Sequence, residues 1–385
     1  MIYADFNGSA PLCNDVLEYL QTRISTGPYA NPNSIHSLGK KMMFGLEKCR
    51  RSIAKNLGCE SSQIIFNSGA SEGISQIFHS LLGDGPKNNK KIVVTSAIEH
   101  AAVYKCLQHY GDNGFEIKTI DTLENGVIDL EQLLTFLEEN YQNIAVVTVM
   151  ASNNETGVLQ PYHEIGEASQ KFNIPFFSDT TQLIGKTQFN FQDSHMDFSV
   201  LSSHKVGALI GSGLIIAKDP TLLKPLVFGG GQEKCMRGGT QNYMGIETMA
   251  IALDSFTKAI PGLEEVNNLR VRFEKNLKEI FPNLVIIGEH SPRLATTTMV
   301  AYPGIHGQAV QIELESNDIF ITTSSACSDN SPETSRILKS MGITDDIGRG
   351  VVRISLCLNA NQELYDKIEL ALTNAYNKLK KIHNY

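Results

Sequence analysis

Short apolar runs alternate with amphipathic stretches along the first two thirds of the chain. The runs are rich in Ile, Val and Phe and are roughly four to eight residues long, which is typical of buried strands. Between them lie stretches such as LEQLLTFLEEN and YHEIGEASQKFN, whose apolar spacing predicts helices. The strand candidates are QIIF, KIVVTS, FEIKTI, NIAVVTVM, IPFFSD, DFSVLSS and GLIIA. This alternation predicts an α/β fold with a mostly parallel sheet that helices cover.

The pattern changes after the PGLEE break that follows residue 260. The runs LVIIG, TTTMVAY, IFITTSS and VVRISL follow, with helical stretches between them. We predict a large domain at 15–255 and a smaller α+β domain built from 1–14 and 256–385. Because no internal repeat or low-complexity linker separates the two parts, we expect them to dock closely.

Composition and charge exclude several classes of protein. The chain has 385 residues, of which 42% are hydrophobic, so it can bury a large core. A net charge of −8 gives no basic face for nucleic acid or for an anionic membrane. The chain has no apolar run of membrane-spanning length and no apolar leader, which favours a cytoplasmic protein. Seven dispersed cysteines without a CxxC pair indicate reduced thiols and no resident metal site.

Several predicted strands are followed by loops with polar residues, where an open α/β sheet places its binding crevice. In FNSGASEG, Ala70 and Ser71 begin a helix and could cradle a phosphate, although an ordinary helix cap at Ser71 explains the motif equally well. His100 in SAIEHAAV is either a cap or core histidine or a ligand contact. Asn154 in MASNNETG could orient a ligand oxygen or form a turn.

The next two strands bring a carboxylate and a lysine. Asp179 ends the apolar strand IPFFSD and needs a cationic partner if it is buried, and Gln182 lies three residues further on. The next strand candidate, DFSVLSS, contains Ser202 and is followed directly by His204 and Lys205. An aldehyde cofactor with a phosphate and a pyridine nitrogen would use all of these groups. Lysine would form a Schiff base, aspartate would keep the ring nitrogen protonated, and hydroxyls with backbone amides would hold the phosphate, so we predict pyridoxal 5′-phosphate.

Ten segments along the chain occur in the order of one known family. They are YADFNGSAP, YANPNSIHSLGK, FNSGASEG, SAIEHAAV, NNETGVLQP, SDTTQLIGK, SSHK, GGGQEKCMRGGTQ, SSACS and VVRISL. In these segments the chain resembles the cysteine desulfurases of the NifS and IscS type, which are class V, fold-type I pyridoxal-phosphate enzymes. The resemblance covers nearly the whole chain and implies the same two-domain transferase fold.

The resemblance implies a role for each residue around the cofactor. Lys205 would be the Schiff-base lysine and the acid/base of the proton shifts. His100 would stack on the ring, Asp179 would pair with its nitrogen, and Gln182 would approach its phenolic oxygen. The phosphate would be held by Ala70, Ser71, Ser202 and His204.

Three further roles come from the same resemblance. Thr240 would reach the phosphate of the neighbouring subunit, which implies a homodimer. Asn154 and Arg353 would bind the substrate carboxylate, the arginine through two parallel hydrogen bonds.

Cys327 lies in TTSSACSDNSPETS, a polar segment typical of a surface loop. Without the resemblance, it would be an ordinary free thiol. The resemblance implies that Cys327 takes sulfur from L-cysteine as a persulfide, leaves L-alanine, and passes the sulfur to an acceptor such as an iron–sulfur scaffold protein. The transferred sulfur would be used for iron–sulfur cluster assembly or for tRNA thiolation. Cys327 could also contact an iron–sulfur cluster transiently.

Some positions depart from the family pattern. The usual Gly-Pro-Lys-Gly after the lysine is Ala208–Gly211 here, the usual His-Glu-Arg is Gln232–Lys234, and Cys357 replaces an expected glycine. No departure removes a catalytic group, so we predict a divergent cysteine desulfurase. The alternatives are another class V reaction, either selenocysteine lysis or transamination, or a non-catalytic scaffold. Retention of the catalytic set argues against a scaffold, which needs none of it.

Overall fold

The computed structural model describes residues 1–87, 89–323 and 333–383. Its strands are β1 (Ile2–Tyr3), β2 (Ile64–Asn67), β3 (Ile92–Ser96), β4 (Glu116–Ile120), β5 (Ile144–Thr148), β6 (Phe176–Asp179), β7 (Phe198–Ser202), β8 (Gly213–Ala217), β9 (Val285–Ile286), β10 (Thr297–Ala301), β11 (Ile319–Phe320) and β12 (Val351–Ser355). Its helices are α1 (Asn14–Thr26), α2 (Ser37–Leu57), α3 (Ala70–Leu82), α4 (Ala101–Asp112), α5 (Leu130–Asn140), α6 (Tyr162–Lys171), α7 (Tyr243–Ala259), α8 (Leu263–Ile280), α9 (Gly307–Glu315), α10 (Arg336–Ser340), α11 (Asp345–Gly348) and α12 (Gln362–His383).

Seven of these strands form the central sheet, in the order β2-β8-β7-β6-β5-β3-β4. Strand β8 runs antiparallel to both of its neighbours, and the other pairs are parallel. Each of the seven apolar runs in the first two thirds of the sequence forms one of these strands. The predicted α/β fold with a mostly parallel sheet is therefore confirmed.

Helices cover both faces of this sheet, and the side chains of the strands alternate between them. Val94 of β3 and Val147 of β5 pack on the side of α1, α2, α5, α6 and α7. Their neighbours Val93 and Val146 pack on the opposite side against α3 and α4. This alternation follows from the two-residue period of a strand, and burial on both faces explains why most of the runs are strongly apolar. The exception is β4 at the edge of the sheet, where Glu116 is exposed and Lys118 is half-buried.

A second hydrophobic core lies in the C-terminal third of the chain. Strands β12, β10 and β9 form an antiparallel sheet, and β1 pairs with β11. Helices α8, α9 and α12 supply side chains such as Phe273, Val310 and Leu372 to this core. The domain boundary after residue 255 stays a prediction, and it falls within α7. Among the described residues, no helix has the length and apolarity needed to span a membrane.

The N-terminal segment joins the two cores. Residues 2 and 3 pair with β11, and the backbone N–H of Phe6 donates to Ser355 of β12 over 3.1 Å. A few residues later, the backbone N–H of Ala10 donates to the carbonyl oxygen of His204, which follows β7. The segment therefore lies between β12 and the carboxyl ends of the central strands, where the polar residues collect.

Candidate active site

One cavity of about 210 Å³ is lined by ten of the twelve predicted site residues. They follow the carboxyl ends of β2, β3, β5, β6 and β7, and Arg353 comes from β12. The ten are Ala70, Ser71, His100, Asn154, Asp179, Gln182, Ser202, His204, Lys205 and Arg353. Thr240 does not line this cavity in its own chain, and Cys327 lies outside the described residues.

Lys205 ends a short 3₁₀ turn, Ser203–Lys205, that follows β7 directly. The hydroxyl of Ser203 fixes the turn by donating to the carbonyl oxygen of Ser212 over 2.8 Å. The amine of Lys205 donates to the backbone carbonyls of Asn7 at 2.8 Å and Gly8 at 2.6 Å. The lysine therefore points from the central sheet towards the N-terminal segment.

Asp179 is a buried carboxylate that forms no ion pair with the described residues. Only 5% of the residue is exposed, and its Oδ1 accepts a hydrogen bond of 2.9 Å from the backbone N–H of Thr181. A buried carboxylate is costly unless a cation or further donors compensate for its lost hydration. The geometry therefore fits a ligand that presents a protonated nitrogen to Asp179.

Other polar atoms of the cavity wall also have no partner among the described residues. These buried atoms are Ser152 Oγ, Asn154 Oδ1, Thr181 Oγ1 and Arg353 Nε. Buried polar groups in native proteins nearly always have a hydrogen-bond partner, so this concentration at one place indicates a polar ligand.

One end of the cavity is formed by the start of α3. The backbone N–H of Ala70 donates to Ser202 Oγ over 2.7 Å, and Gly69 has a φ of +152° at the turn into the helix. A Cβ at Gly69 would lie 3.2 Å from Ser202 Oγ, so a larger residue would crowd this contact. Helix N-termini with adjacent hydroxyls bind anions such as phosphate.

His204 lies beside Lys205 and pairs through Nδ1 with Ser9 Oγ at 3.0 Å. Burial lowers the pKa of His204 most, and with the neighbouring Lys205 and Lys186 it brings this pKa to about 4. His204 is therefore neutral at pH 7 and can offer a hydrogen bond but no charge to an anion.

His100 both caps α4 and lines the cavity. Its Nδ1 accepts a hydrogen bond of 3.1 Å from the backbone N–H of Ala102, which places the proton of the neutral ring on Nε2. The preceding residue, Glu99, is buried and accepts from Ser96 Oγ at 2.5 Å and from the Met150 N–H at 2.8 Å. Burial raises the pKa of Glu99 to about 8, and the nearby charge of Asp179 also raises it.

Arg353 lies at the side of the cavity formed by β12. One of its terminal nitrogens donates to Asp5 Oδ1 at 2.6 Å, and the other donates to the carbonyl oxygen of Asn154 at 2.8 Å. Its Nε is buried and has no partner among the described residues. The guanidinium thus keeps donor capacity for a further carboxylate, which its predicted role in substrate binding requires.

Two residues that the sequence analysis missed connect this site. Asn7 is buried, and its carbonyl oxygen accepts from Lys205 and from Gln182 Nε2, the latter at 2.9 Å. Lys186 is also buried, and its amine donates to Asn7 Oδ1 at 2.6 Å and to Gln182 Oε1. Lys186 is the last residue of the family segment SDTTQLIGK, but the segment by itself does not indicate a role for this lysine.

A second cavity of about 400 Å³ reaches Lys205 from another side. Lys186 and Cys357 line it, the latter at the position where glycine is expected. Burial raises the pKa of the Cys357 thiol, so this thiol stays protonated at pH 7. Within residues 1–87, 89–323 and 333–383, no three or more His, Cys, Asp or Glu side chains are grouped to hold a metal ion.

Comparisons with known proteins agree with this geometry. The family model "Aminotransferase class-V" matches residues 2–368. A cysteine desulfurase of Enterobacter agglomerans is 33% identical over 356 residues, which cover 92% of this chain and 87% of the relative. The chain therefore belongs to the class-V aminotransferase family.

Solved structures of related proteins have the same fold over nearly their whole length. A NifS-like protein superimposes with a TM-score of 0.89 at 29% identity, covering 98% of this chain and all of the other. A structure described as SspA in complex with cysteine superimposes with a TM-score of 0.80 at 28% identity, covering 92% of this chain and 99% of the other.

Proposed function

We propose that this chain is a pyridoxal-phosphate-dependent cysteine desulfurase, which converts L-cysteine to L-alanine and transfers the sulfur to its own Cys327. The observation that carries the proposal is the arrangement of Lys205 and the buried Asp179 around one cavity. Within the described part of the chain, Asp179 forms no ion pair. Relatives named cysteine desulfurases match the chain nearly end to end, and a structural relative has been solved with cysteine, which supports the substrate.

The residues of the cavity fit pyridoxal phosphate. Asp179 would pair with the ring nitrogen, His100 would stack on the ring, and Gln182 would donate to the phenolic oxygen. The start of α3 would hold the phosphate, together with Ala70, Ser71, Ser202 and His204. When bound, the cofactor supplies an electron sink for the bonds around the substrate α-carbon.

The chain supplies positioning and proton transfer. Arg353 and Asn154 would hold the substrate carboxylate, and Lys205 Nζ would take up the proton from the α-carbon. The Cys327 thiolate would attack the substrate sulfur, so an S–S bond forms while the bond between sulfur and Cβ breaks. The carbon then takes up a proton and leaves as L-alanine, and Cys327 keeps the persulfide. This role of Cys327 rests on the SSACS motif.

A homodimer and a sulfur-acceptor protein are part of this proposal. Thr240 is exposed and lies outside the cavity of its own chain, so it is accessible to a second subunit. Large apolar side chains are exposed at Ile35 (91%), Phe44 (68%) and Phe228 (82%). Removal of such side chains from water at a subunit interface would contribute favourable free energy. An iron–sulfur scaffold protein is the acceptor class that fits the NifS-like relatives.

The test is a product assay on the purified protein with pyridoxal phosphate, L-cysteine and a reductant. We expect sulfide and alanine in equal amounts, because each turnover moves one sulfur atom and leaves one alanine. A keto acid in place of alanine would indicate transamination, and turnover of selenocysteine alone would indicate a selenocysteine lyase. A protein that binds no cofactor would support the scaffold alternative. Each of these three results would overturn the proposal.

A further inference from the structure

Lys186 is a second lysine close to Lys205, and it is buried. Only 6% of the residue is exposed, and its amine ends between two side-chain amides. It donates to Asn7 Oδ1 at 2.6 Å and to Gln182 Oε1. These are its hydrogen-bond acceptors among the described residues, and a neutral amine has two N–H groups to match them.

The charges around Lys186 disfavour its protonation. Burial lowers its pKa well below the ordinary value, and the cations Lys205 and Arg353 lower it further. Asp5 opposes this effect but is the smallest of the four contributions, and it already pairs with Arg353. Burial and the neighbouring cations therefore favour the neutral amine of Lys186, which donates to both amide oxygens.

The contacts of Gln182 fix the orientation of its amide. Its Nε2 lies 2.9 Å from the backbone carbonyl oxygen of Asn7, which can only accept. The amide nitrogen must therefore face Asn7, and the amide oxygen must face Lys186. One N–H of Gln182 remains for a group in the cavity, because an amide nitrogen has two donors.

The side-chain amide of Asn7 is also fixed by hydrogen bonds, at both its oxygen and its nitrogen. Its Oδ1 accepts from Lys186, while its Nδ2 donates to the carbonyl oxygen of Asn154 at 3.2 Å and to Thr297 Oγ1 at 3.1 Å. The carbonyl oxygen of Asn7 also accepts from Lys205 at 2.8 Å. Lys186 thus joins Gln182 to the residue that holds the amine of Lys205.

We propose that Lys186 is a positioning residue of this active site, which locks the amides of Asn7 and Gln182 so that Gln182 presents one N–H to the cavity and Asn7 supports Lys205. The inference rests on the proposed cofactor site but not on desulfurase activity. Loss of this contact would shift the side chains of Asn7 and Gln182. A misplacement of about 1 Å in an active site can cost about 100-fold in rate.

The test is the Lys186→Met variant, which keeps the length of the side chain and removes its donors. The protein with bound pyridoxal phosphate is titrated, and the pH midpoint of its visible absorbance band is measured. Without Lys186, the amide of Gln182 is held less firmly, and its N–H donates a weaker hydrogen bond to the anionic phenolic oxygen of the cofactor. Because this anion is then stabilised less, we expect the midpoint to rise by about one pH unit. Lys275→Met, which removes an exposed lysine, is the matched control and should leave the midpoint unchanged.

A double-mutant cycle separates positioning from a general loss of stability. Gln182→Met should shift the midpoint by itself, and adding Lys186→Met to it should shift the midpoint little further, because Lys186 acts on the phenolic oxygen through the amide of Gln182. Lys186→Gln keeps a hydrogen-bond donor, so it should shift the midpoint less than Lys186→Met. It replaces Lys186→Met in the experiment if the methionine variant does not fold. A lower melting temperature without a change of midpoint, or additive shifts in the cycle, would overturn the proposal.

Failure of this proposal can be distinguished from failure of the proposed function. A wild-type protein that binds the cofactor but makes no alanine would disprove the desulfurase, while the midpoints of the variants would still test Lys186. Conversely, an active wild-type enzyme with an unshifted midpoint in Lys186→Met would disprove only the role of Lys186.

Discussion

Arg353 and Asp5 form an ion pair with an N–O distance of 2.6 Å, although 348 positions separate them in the chain. The arginine is the residue that we propose for binding the substrate carboxylate. In this structure, the carboxylate of Asp5 already neutralises its charge. A substrate must bind to the remaining donors of the guanidinium, of which the buried Nε has no partner among the described residues. Asp5 therefore limits how strongly this arginine attracts an anion.

The first prediction concerns the shape of this guanidinium. Arg353→Lys keeps a positive charge but loses the planar pair of donors that matches a carboxylate. We expect the KM for L-cysteine to rise by about 10- to 100-fold, as a lost hydrogen bond to a charged group costs about 1.5–3 kcal/mol. Steady-state kinetics measure this, and an unchanged KM would show that another group binds the carboxylate.

Asp5→Asn is the paired variant. It keeps an oxygen acceptor for Arg353 and removes the competing charge, so the KM for L-cysteine should fall several-fold. Opposite shifts in KM for the two variants would assign the ion pair to substrate recognition. A rise in KM for both would mean that Asp5 only supports Arg353.

The second prediction concerns the sulfur acceptor within the chain. Cys327→Ser should abolish sulfide release, because a serine hydroxyl is far less nucleophilic towards sulfur than a thiolate. Binding of pyridoxal phosphate, measured by visible absorbance, should remain at the wild-type level. Cys235→Ser removes an exposed free thiol and should retain activity. Full sulfide release from the Cys327 variant would refute its role as nucleophile.

The sequence predicted the central sheet well because all of its strands except β4 are buried on both faces. Their largely apolar runs can be recognised locally, and five of the seven runs are followed by polar residues that line the cavity. The positions of Asp179 and Lys205 at neighbouring strand ends follow from this pattern alone. Their residue types also predicted a Schiff base and a partner for a pyridine nitrogen. The resemblance to a family added the roles of residues such as His100 and Gln182.

The remaining parts of the site depend on contacts between distant segments. Asn7 lies at the N-terminus and reaches Gln182 and Lys186 across more than 170 positions, so no local pattern indicates the contact. Lys186 was missed because lysine is rarely buried, and a lysine after a turn normally faces solvent. Glu99 was missed for the same reason, since a glutamate next to a helix start is ordinarily exposed.

The third prediction concerns strain in the glycine-rich segment. Glu233, Lys234 and Cys235 have φ values of +46°, +56° and +65°, a left-handed conformation that costs side-chain-bearing residues about 1–2 kcal/mol each. Cys235→Gly should raise the free energy of unfolding by about 1 kcal/mol, and Cys235→Ala, which keeps the Cβ, should not. Urea unfolding measures both, and an equal effect of the two variants would contradict the strain.

The last prediction concerns the pH dependence of stability through Glu99. Burial raises its pKa to about 8 from an ordinary value of 4.5, so between these pH values the folded state binds a proton that the unfolded state has lost. Stability must therefore fall as the pH rises through this window, by at most about 1.4 kcal/mol per pH unit. Glu99→Gln cannot ionise, so this loss should disappear in the variant.

The measurement is urea unfolding of wild type and Glu99→Gln at pH 5, 6, 7 and 8. The stability of the variant relative to wild type should increase steadily across this series, because only the wild type must take up a proton on folding or bury the charge of a carboxylate beside Asp179. Glu138→Gln removes one exposed carboxylate, and its free energy of unfolding should change with pH in the same way as that of wild type. If the stability of the Glu99 variant had the same pH dependence as that of wild type, the Glu99 carboxyl would already be ionised in the folded protein. A hydrogen-bond donor or a cation would then have to stabilise this charge next to Asp179.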